Sequence, residues 1–416
     1  MKPERAFLSL TILGLAAGGW LYGDYWKKSN FHTGSSEDAS SLRAQNSDLL
    51  VRIDALESDL AQARSMLANS PYPIADELIA WIETEYNMAF LRPPDVRLAT
   101  PAAIRDAAES NLHFIHRQGK IEAENRAWEL LGILPPNQNL WGQLITINSS
   151  GVKGIFDYRK EQILLSEEFN PSSVPDRSVL VRLLGQAISF QNHPQKEWLS
   201  RDHWQAWEAV HVGTAAALAS RFIRRNMSED EDKWQDPEAA REQQLNELAP
   251  ALQGFANFPF LEGADYSRFF FVQSRAKFAE MFRGSSLTTD DILKHTQKNS
   301  AKEGITFSGP DENIVIRDQL GALGLRLWLE PFAGVMEAQA YADTWKADTY
   351  ELRQDGLKET LIWHLVLASS KASQSLVSEI ERSSMLAHFR EMQPAREITV
   401  FSSGPRVTFT NSPKTQ

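Results

Sequence analysis

The segment Val179–His193, which reads VLVRLLGQAISFQNH, constrains the fold of this chain more than any other stretch. Its residues are mostly apolar around a helical projection, with Arg182 and Gln186 as the main interruptions. A helix with this pattern lies in a protein core rather than on its surface. Pro171 and Pro175 precede the segment and are typical of a helix start. We therefore predict a central buried helix.

Composition limits the classes of function. The 416 residues allow one large domain with an appendage. A net charge of −11, without any Lys/Arg-rich run, argues against nucleic acid as a partner. The chain has no cysteine, which excludes disulfides, thiolate metal sites and a cysteine nucleophile. This absence is compatible with an oxidising compartment.

Residues 1–28 are typical of a membrane anchor or a signal segment. Lys2 and Arg5 precede an uncharged run of about 18 residues, which is long enough for one span. Aromatic residues cluster at the far end of this run, as at a membrane interface: Trp20, Tyr22, Tyr25 and Trp26. A cleaved signal peptide is the alternative. We expect an uncleaved single-pass anchor in a bacterial membrane, with the globular part exported to the periplasmic or extracytoplasmic side.

A flexible spacer and a short coiled coil are predicted next. Residues 29–41 are polar and Ser-rich, as in a flexible linker. Residues 42–69 follow a heptad pattern, with positions alternating three and four residues apart: Leu42, Asn46, Leu49, Ile53, Leu56, Leu60, Ala63 and Leu67. This pattern predicts a coiled-coil stalk and self-association. The alternative is a helix that folds back onto the globular domain.

The remaining chain predicts an α+β domain, mostly α, over residues 73–410, with a disordered tail at 411–416. Leu144–Ser166 is rich in β-branched residues and predicts two or three antiparallel strands. Turn signals at Gln354–Gly356 and Ser402–Pro405 predict hairpins.

Helix signals fill most of the rest of this domain. Thr100 followed by Pro101, and Thr288 followed by Asp291, are typical helix starts. Val335–Thr344 is expected to approach a strand, and Ser370–Phe389 is expected to form one long helix.

Several blocks of this sequence resemble, in matching order, those of a family of exported bacterial zinc metallopeptidases. The central segment resembles a helix usually close to VLVHELTHALQDQHF. Further blocks flank it: LLGILPP at 130–136, VKGIFDYRKEQILL at 152–165, AVHVGTA at 209–215, FPF with a following glycine at 258–263, TTDDILKH at 288–295 and TWKADTY at 344–350. The resemblance spans residues 75–379 and implies a gluzincin-like metallopeptidase domain with a small antiparallel sheet.

In that family, two histidines four residues apart and a third residue, commonly glutamate, hold zinc, while a second glutamate polarises water. The positions that match are Arg182 and Gln186 for the histidines, Leu183 for the base and Val212 for the third ligand. Arginine is permanently cationic, and leucine and valine carry no donor atom. The resemblance therefore implies a degenerate pseudopeptidase without catalytic residues, metal or cofactor.

Few other residues indicate a site. His113 and His116 are three residues apart, which is weak support for a metal site. Glu208 and His211 are predicted to border a residual pocket. His211 lies next to Val212, a rotation of about 100° around the helix.

Three functions fit this pattern. The favoured one is a membrane-anchored, inactive metallopeptidase-like protein at the cell envelope, which binds or scaffolds a peptide or protein partner in the old cleft. The second is a hydrolase with a rebuilt, non-zinc site at Arg182, Gln186, Glu208 and His211. The third is a structural coiled-coil envelope protein. An open cleft beside Arg182 and Gln186 would favour ligand binding, and a filled one would favour scaffolding.

Overall fold

The computed structural model describes residues 42, 44–58, 71–116, 120–194, 200–226, 243, 245–283, 287–297 and 313–414. The predicted anchor at 1–28, the spacer at 29–41 and the end of the predicted coiled coil lie outside the described residues. The chain divides into two units, residues 1–66 and 67–416.

The prediction of a transmembrane helix is corrected by the structure. Among the described residues, no helix is both long and apolar enough to cross a membrane. Helix Arg201–Asn226 has the length, with 26 residues, but it contains Asp202, Glu208 and several arginines. The anchor itself was predicted for 1–28, outside the described part, and nothing that the structure describes supports it.

In the first unit, residues 44–58 are helical, as the heptad pattern predicts. Leu49, Ile53 and Leu56 on this helix are 46%, 48% and 67% exposed. Apolar side chains of a predicted coiled-coil seam are therefore uncovered in the single chain. Self-association through this helix remains a prediction.

The second unit is a mixed α+β fold in which helices predominate, as expected. Its helices are α1 (Asp76–Tyr86), α2 (Pro101–Ile115), α3 (Ile121–Leu130), α4 (Leu140–Ser149), α5 (Val174–Asn192), α6 (Arg201–Asn226), α7 (Pro250–Asn257), a π-helical turn (Pro259–Gly263), α8 (Ala264–Gln273), α9 (Arg275–Met281), α10 (Thr289–Leu293), α11 (Gly321–Ala333), α12 (Val335–Thr344), α13 (Ser370–Arg382) and α14 (Met385–Met392). Its strands are β1 (Asp95–Ala99), β2 (Gly154–Asp157), β3 (Gln162–Ser166), β4 (Ile314–Asp318), β5 (Trp345–Asp355), β6 (Lys358–Leu367), β7 (Arg396–Ser403) and β8 (Arg406–Pro413).

The strands form two sheets instead of the one small antiparallel sheet expected. The first has the order β1-β3-β2, with β1 parallel to β3 and β2 antiparallel to it. The second is antiparallel with the order β4-β5-β6-β8-β7. The two predicted hairpins are confirmed: β5 pairs with β6 across Gly356, and β7 pairs with β8 across Gly404.

Helix starts follow the local signals in the sequence. The Thr100 side chain accepts a hydrogen bond from the Ala103 amide, and Pro101 occupies the first turn of α2. Thr288 and Asp291 form a reciprocal capping box at α10. Ser173 caps α5, so the central helix begins slightly before the predicted segment.

Four expectations about secondary structure and the end of the domain are corrected. The expected strands over 144–166 begin only at β2. The first residues of this range belong to α4, a helix capped by the Asn139 side chain, although the β-branched residues among them favour strands. Residues 335–344 form α12 throughout, and the expected long helix at 370–389 is two helices, α13 and α14. Strand β8 continues to Pro413, past the expected domain end at 410. The Asn411 amide is fully buried and donates to the Leu130 carbonyl, so 411–413 belong to the fold rather than to a disordered tail.

A buried carboxylate joins the second sheet to α11. Asp348, on β5, accepts hydrogen bonds from the Leu320 amide at 2.9 Å and the Gly321 amide at 3.0 Å, at the start of α11. It also accepts from the indole N–H groups of Trp363 and Trp345. Burial raises the pKa of Asp348, and these four donors oppose that rise.

Helices α5 and α6 and the π-helical turn pack closely because small residues meet at their contacts. A Cβ atom at Gly185 would lie 2.7 Å from the Tyr86 hydroxyl oxygen and 3.1 Å from the Ala215 Cβ atom. A Cβ atom at Gly213 would lie 2.7 Å from the Pro259 carbonyl oxygen. These contacts hold the backbones at distances that larger side chains would prevent.

We predict that Gly213→Ala destabilises the protein by about 1–3 kcal/mol, because the added methyl group overpacks the contact with the π-helical turn. At an exposed position in the middle of a helix, replacing glycine by alanine would instead stabilise the protein by about 1 kcal/mol. Urea unfolding, followed by circular dichroism, measures the difference. A gain in stability would contradict the close packing.

Candidate functional site

A cavity of about 160 Å³ lies beside α5 and α6, and we call it the central cavity. All four positions that match the metallopeptidase site line it: Arg182, Leu183, Gln186 and Val212. Glu208 also lines it, as do residues of α2, α4, α7, β2 and the π-helical turn. The structure thus brings together residues that the sequence resemblance grouped.

The convergence follows from helical spacing and from the close packing described above. Arg182 and Gln186 are one turn apart on α5, and Glu208 and Val212 are one turn apart on α6. The Gly185–Ala215 contact between the two helices keeps them near each other. The two faces therefore border the same space.

The cavity combines charged, amide and apolar side chains. The Arg182 guanidinium lies 5.8 Å from the centre of the Phe260 ring, a cation–π arrangement. Leu183 and Val212 are 1% and 5% exposed and form part of the apolar wall. Gln205 donates to the Glu208 carboxylate at 3.5 Å.

Two amide side chains of the cavity lining have spare hydrogen-bonding capacity. Gln186 is 6% exposed, and no hydrogen bond to its side chain is found within the described part of the chain. The Gln205 carbonyl oxygen is buried and also lacks a partner there. Buried polar groups are normally satisfied, so both amides are suited to bind a ligand or ordered water.

Tyr158 adds a neutral hydroxyl to the lining. Burial raises its pKa above the ordinary value, the Glu208 carboxylate adds to the rise, and Arg182 opposes it. Tyr158 therefore stays protonated and is able to donate a hydrogen bond.

The donor atoms present do not fit the zinc ion of the metallopeptidase family. Arg182 has no lone pair to offer, and Leu183 and Val212 have no donor atom. Gln186 alone among the four has an oxygen, and one neutral amide oxygen does not replace two imidazoles and a carboxylate. The side chains at these four positions therefore do not form the zinc site of that family.

His211 does not border the central cavity, which corrects half of the residual-pocket prediction. Its ring stacks on Trp207 at 4.2 Å, and its Nδ1 atom lies 3.1 Å from the Ser189 hydroxyl oxygen. Burial, with a smaller contribution from His193, lowers the pKa of His211 to about 3, so the ring is neutral. Glu208 lines the cavity and His211 packs in the core, although a spacing of three residues places the two on the same side of the helix.

His113 and His116 do not form a metal-binding pair. His113 is about half exposed and lies against Trp141, with ring centres 4.7 Å apart. His116 is buried, and its Nδ1 atom lies 2.8 Å from the Glu124 carboxylate. No group of three or more His, Asp or Glu residues suited to a metal is found among the described residues.

A buried charged cluster that borders the central cavity was not predicted from the sequence. Arg201 lines the cavity and places its Nη1 atom 3.3 Å from the His116 Nε2 atom and 3.5 Å from the Glu124 carboxylate. The Arg201 amide donates to the Asp318 carboxylate at 2.8 Å. This cluster also lines a second cavity of about 110 Å³.

No local sequence pattern indicates this cluster, because Arg201 lies 77 residues from Glu124 and 117 residues from Asp318. His116 resembles a general base held by a carboxylate, but Arg201 lies at the ring nitrogen that such a base would use.

Comparison with known proteins gives no further identification: no protein-family model, curated protein or solved structure matches this chain.

Burial raises the pKa of Asp318 from its ordinary 3.8 to about 7, and the nearby Glu124 carboxylate adds to the rise. The folded state therefore holds a proton that the unfolded chain releases, and stability is lost as the pH rises from about 4 to about 7.

Asp318→Asn keeps the accepting oxygen and removes this titration. We predict a smaller decline in the free energy of unfolding between pH 5 and pH 7 than in the wild type, measured by urea titration. Asp106→Asn, at an exposed position, is the control, and equal slopes for D318N and wild type would contradict the assignment.

Proposed function

We propose that this chain is a catalytically inactive, gluzincin-like relative of exported zinc metallopeptidases, and that it binds an extended peptide segment in the central cavity. The observation that carries the proposal is that the four substituted site positions, distant along the chain, line one open cavity. Resemblance blocks in consistent order over residues 75–379 support the same relationship.

Loss of catalysis in this proposal rests on side-chain chemistry. Arg182 places a permanent positive charge where the family has a metal ligand, and a cation repels a metal ion. Leu183 replaces the base and cannot take a proton. The residues now present provide neither a zinc ligand set nor an activated water.

A peptide fits the lining of the cavity better than a uniformly apolar ligand does. The amides of Gln186 and Gln205 match peptide N–H and C=O groups, and pairing satisfies the buried Gln205 carbonyl oxygen, which has no partner among the described residues. Strand β2 forms the edge of its sheet and lines the cavity through Gly154 and its neighbours. An edge strand offers main-chain groups to an extended segment. At this edge the Asn111 side chain pairs with the Phe156 carbonyl and the Tyr158 amide, so a peptide would have to replace Asn111 there or pair beside it.

Multivalency is a further part of the proposal. The exposed apolar residues of helix 44–58 support self-association through the heptad segment 42–69. Association of two or more chains would present several cavities to one partner and raise its apparent affinity. The family resemblance and the absence of cysteine lead us to propose an extracytoplasmic location.

We predict that Arg182→Ala retains about tenfold less peptide than the wild type, because a charge-assisted hydrogen bond contributes roughly 1.5 kcal/mol. The probe is a mixed-sequence pool of synthetic peptides, and retention by the full-length chain is measured by mass spectrometry. Arg177→Ala is a matched control, since Arg177 is on the same helix and lies 5.1 Å from the centre of the Phe222 ring, away from the cavity.

Full retention by the Arg177 variant together with loss in the Arg182 variant supports the proposal. Failure of the wild type to retain any peptide, or equal losses in both variants, would argue against it.

We also predict that restoring the family residues creates a zinc site. The quadruple variant R182H/L183E/Q186H/V212E should bind about one zinc ion per chain, because the four positions already face one cavity. The triple variant that retains Val212 should bind zinc more weakly, since it lacks one ligand. Metal content after dialysis gives the result, and circular dichroism establishes that each variant is folded. A folded quadruple variant without zinc would contradict the proposed relationship.

A further inference from the structure

A third cavity lies on another part of α6. It measures about 310 Å³, and helices α1, α6, α8 and α9 enclose it. We call it the lateral cavity, and none of its lining residues belongs to the central cavity. Its volume is at the lower end of the range for sites that bind small organic molecules.

The wall of the lateral cavity is largely apolar. The residues that form this wall are Ala217, Leu218, Phe271, Val272 and Phe278. Ala217, Leu218 and Phe278 are buried, and Val272 at the rim is 78% exposed. A wall of this composition removes an alkyl chain from water and offers it few hydrogen-bonding groups.

Three arginines surround this apolar space, and two of them are already engaged. Arg221 forms an ion pair with Glu85 at 2.6 Å and lies 4.4 Å from the centre of the Phe271 ring. Arg268 forms an ion pair with Asp265 at 2.5 Å. The third arginine of the lining, Arg224, is exposed, and the described residues include no ion-pair partner for it. The rim therefore carries a spare positive charge.

Tyr86 also belongs to the lining, together with the hydroxyl residues Thr214 and Ser267. The Tyr86 hydroxyl is buried and has no hydrogen-bond partner among the described residues. Burial raises the pKa of Tyr86, so the group is a neutral donor or acceptor. The lining thus combines an apolar wall, a neutral hydroxyl and a cationic rim.

We propose that the lateral cavity binds a single-chain alkyl carboxylate, with the chain against the apolar wall and the carboxylate at the Arg224 guanidinium. Arginine offers paired N–H donors that match the two oxygens of a carboxylate. The apolar wall discriminates against small hydrophilic anions, and the spare charge discriminates against uncharged alkanes and alcohols. This site is independent of the peptide site proposed for the central cavity.

The test is calorimetric titration of the full-length chain with decanoate and, separately, with decanol. The site predicts that decanoate binds more tightly than decanol. Arg224→Ala should weaken decanoate binding about fivefold, the upper range for an exposed charge pair. Arg225→Ala is the matched control, because Arg225 is the exposed neighbour on α6 that does not line the cavity. Decanoate binding should be unchanged in this control.

A second variant tests the apolar wall. Val272→Asp places a carboxylate at the rim, and the exposure of Val272 leaves the fold unaffected. Decanoate binding should fall about tenfold or more. The new carboxylate makes the wall less favourable for the alkyl chain of decanoate and repels its carboxylate. Absence of decanoate binding to the wild type, equal effects of R224A and R225A, or full binding by V272D would each overturn the proposal.

Discussion

The close contact between α6 and the π-helical turn is the constraint on which the site depends. Gly213 and Gly263 let two backbones approach to distances that exclude any Cβ atom, and Gly185 allows α5 to pack equally closely against Ala215. Because close packing of this kind resists displacement of the helices, it holds the lining side chains of α5 and α6 around the same space. Arg182 on α5 therefore lines the same cavity as Glu208 and Val212 on α6. The central cavity therefore depends on small residues that have no functional groups of their own.

Helix α6 serves two separate spaces because its faces differ. One face carries Glu208 and Val212 into the central cavity, and another carries Ala217 and Leu218 into the lateral cavity. His211 belongs to neither, since it packs on Trp207 in the core. A mixed polar lining in the first cavity suits a peptide, and an apolar lining with a cationic rim in the second suits an amphiphile. The two cavities need not act together.

Local signals explain how much of the fold could be predicted. The helix at α5, the caps at Thr100 and Thr288 and the two hairpins depend on neighbouring residues, and each was predicted. The helix α4 was missed because its β-branched residues favour strands, whereas capping and packing decide the outcome. The four central-cavity positions were grouped only through family resemblance. The Arg201 cluster and the lateral cavity could not be predicted, because they join residues that are far apart in sequence and carry no spacing signal.

We propose that the central cavity keeps the arrangement of a metallopeptidase site and that binding replaces its chemistry. The most direct measurement is the zinc content and the peptide-cleaving activity of one preparation of the full-length wild type, after dialysis against zinc and then against buffer. We expect no retained zinc and no cleavage of a mixed peptide pool, because Arg182, Leu183, Gln186 and Val212 provide neither a zinc ligand set nor a base. Stoichiometric zinc together with cleavage of the pool would contradict it.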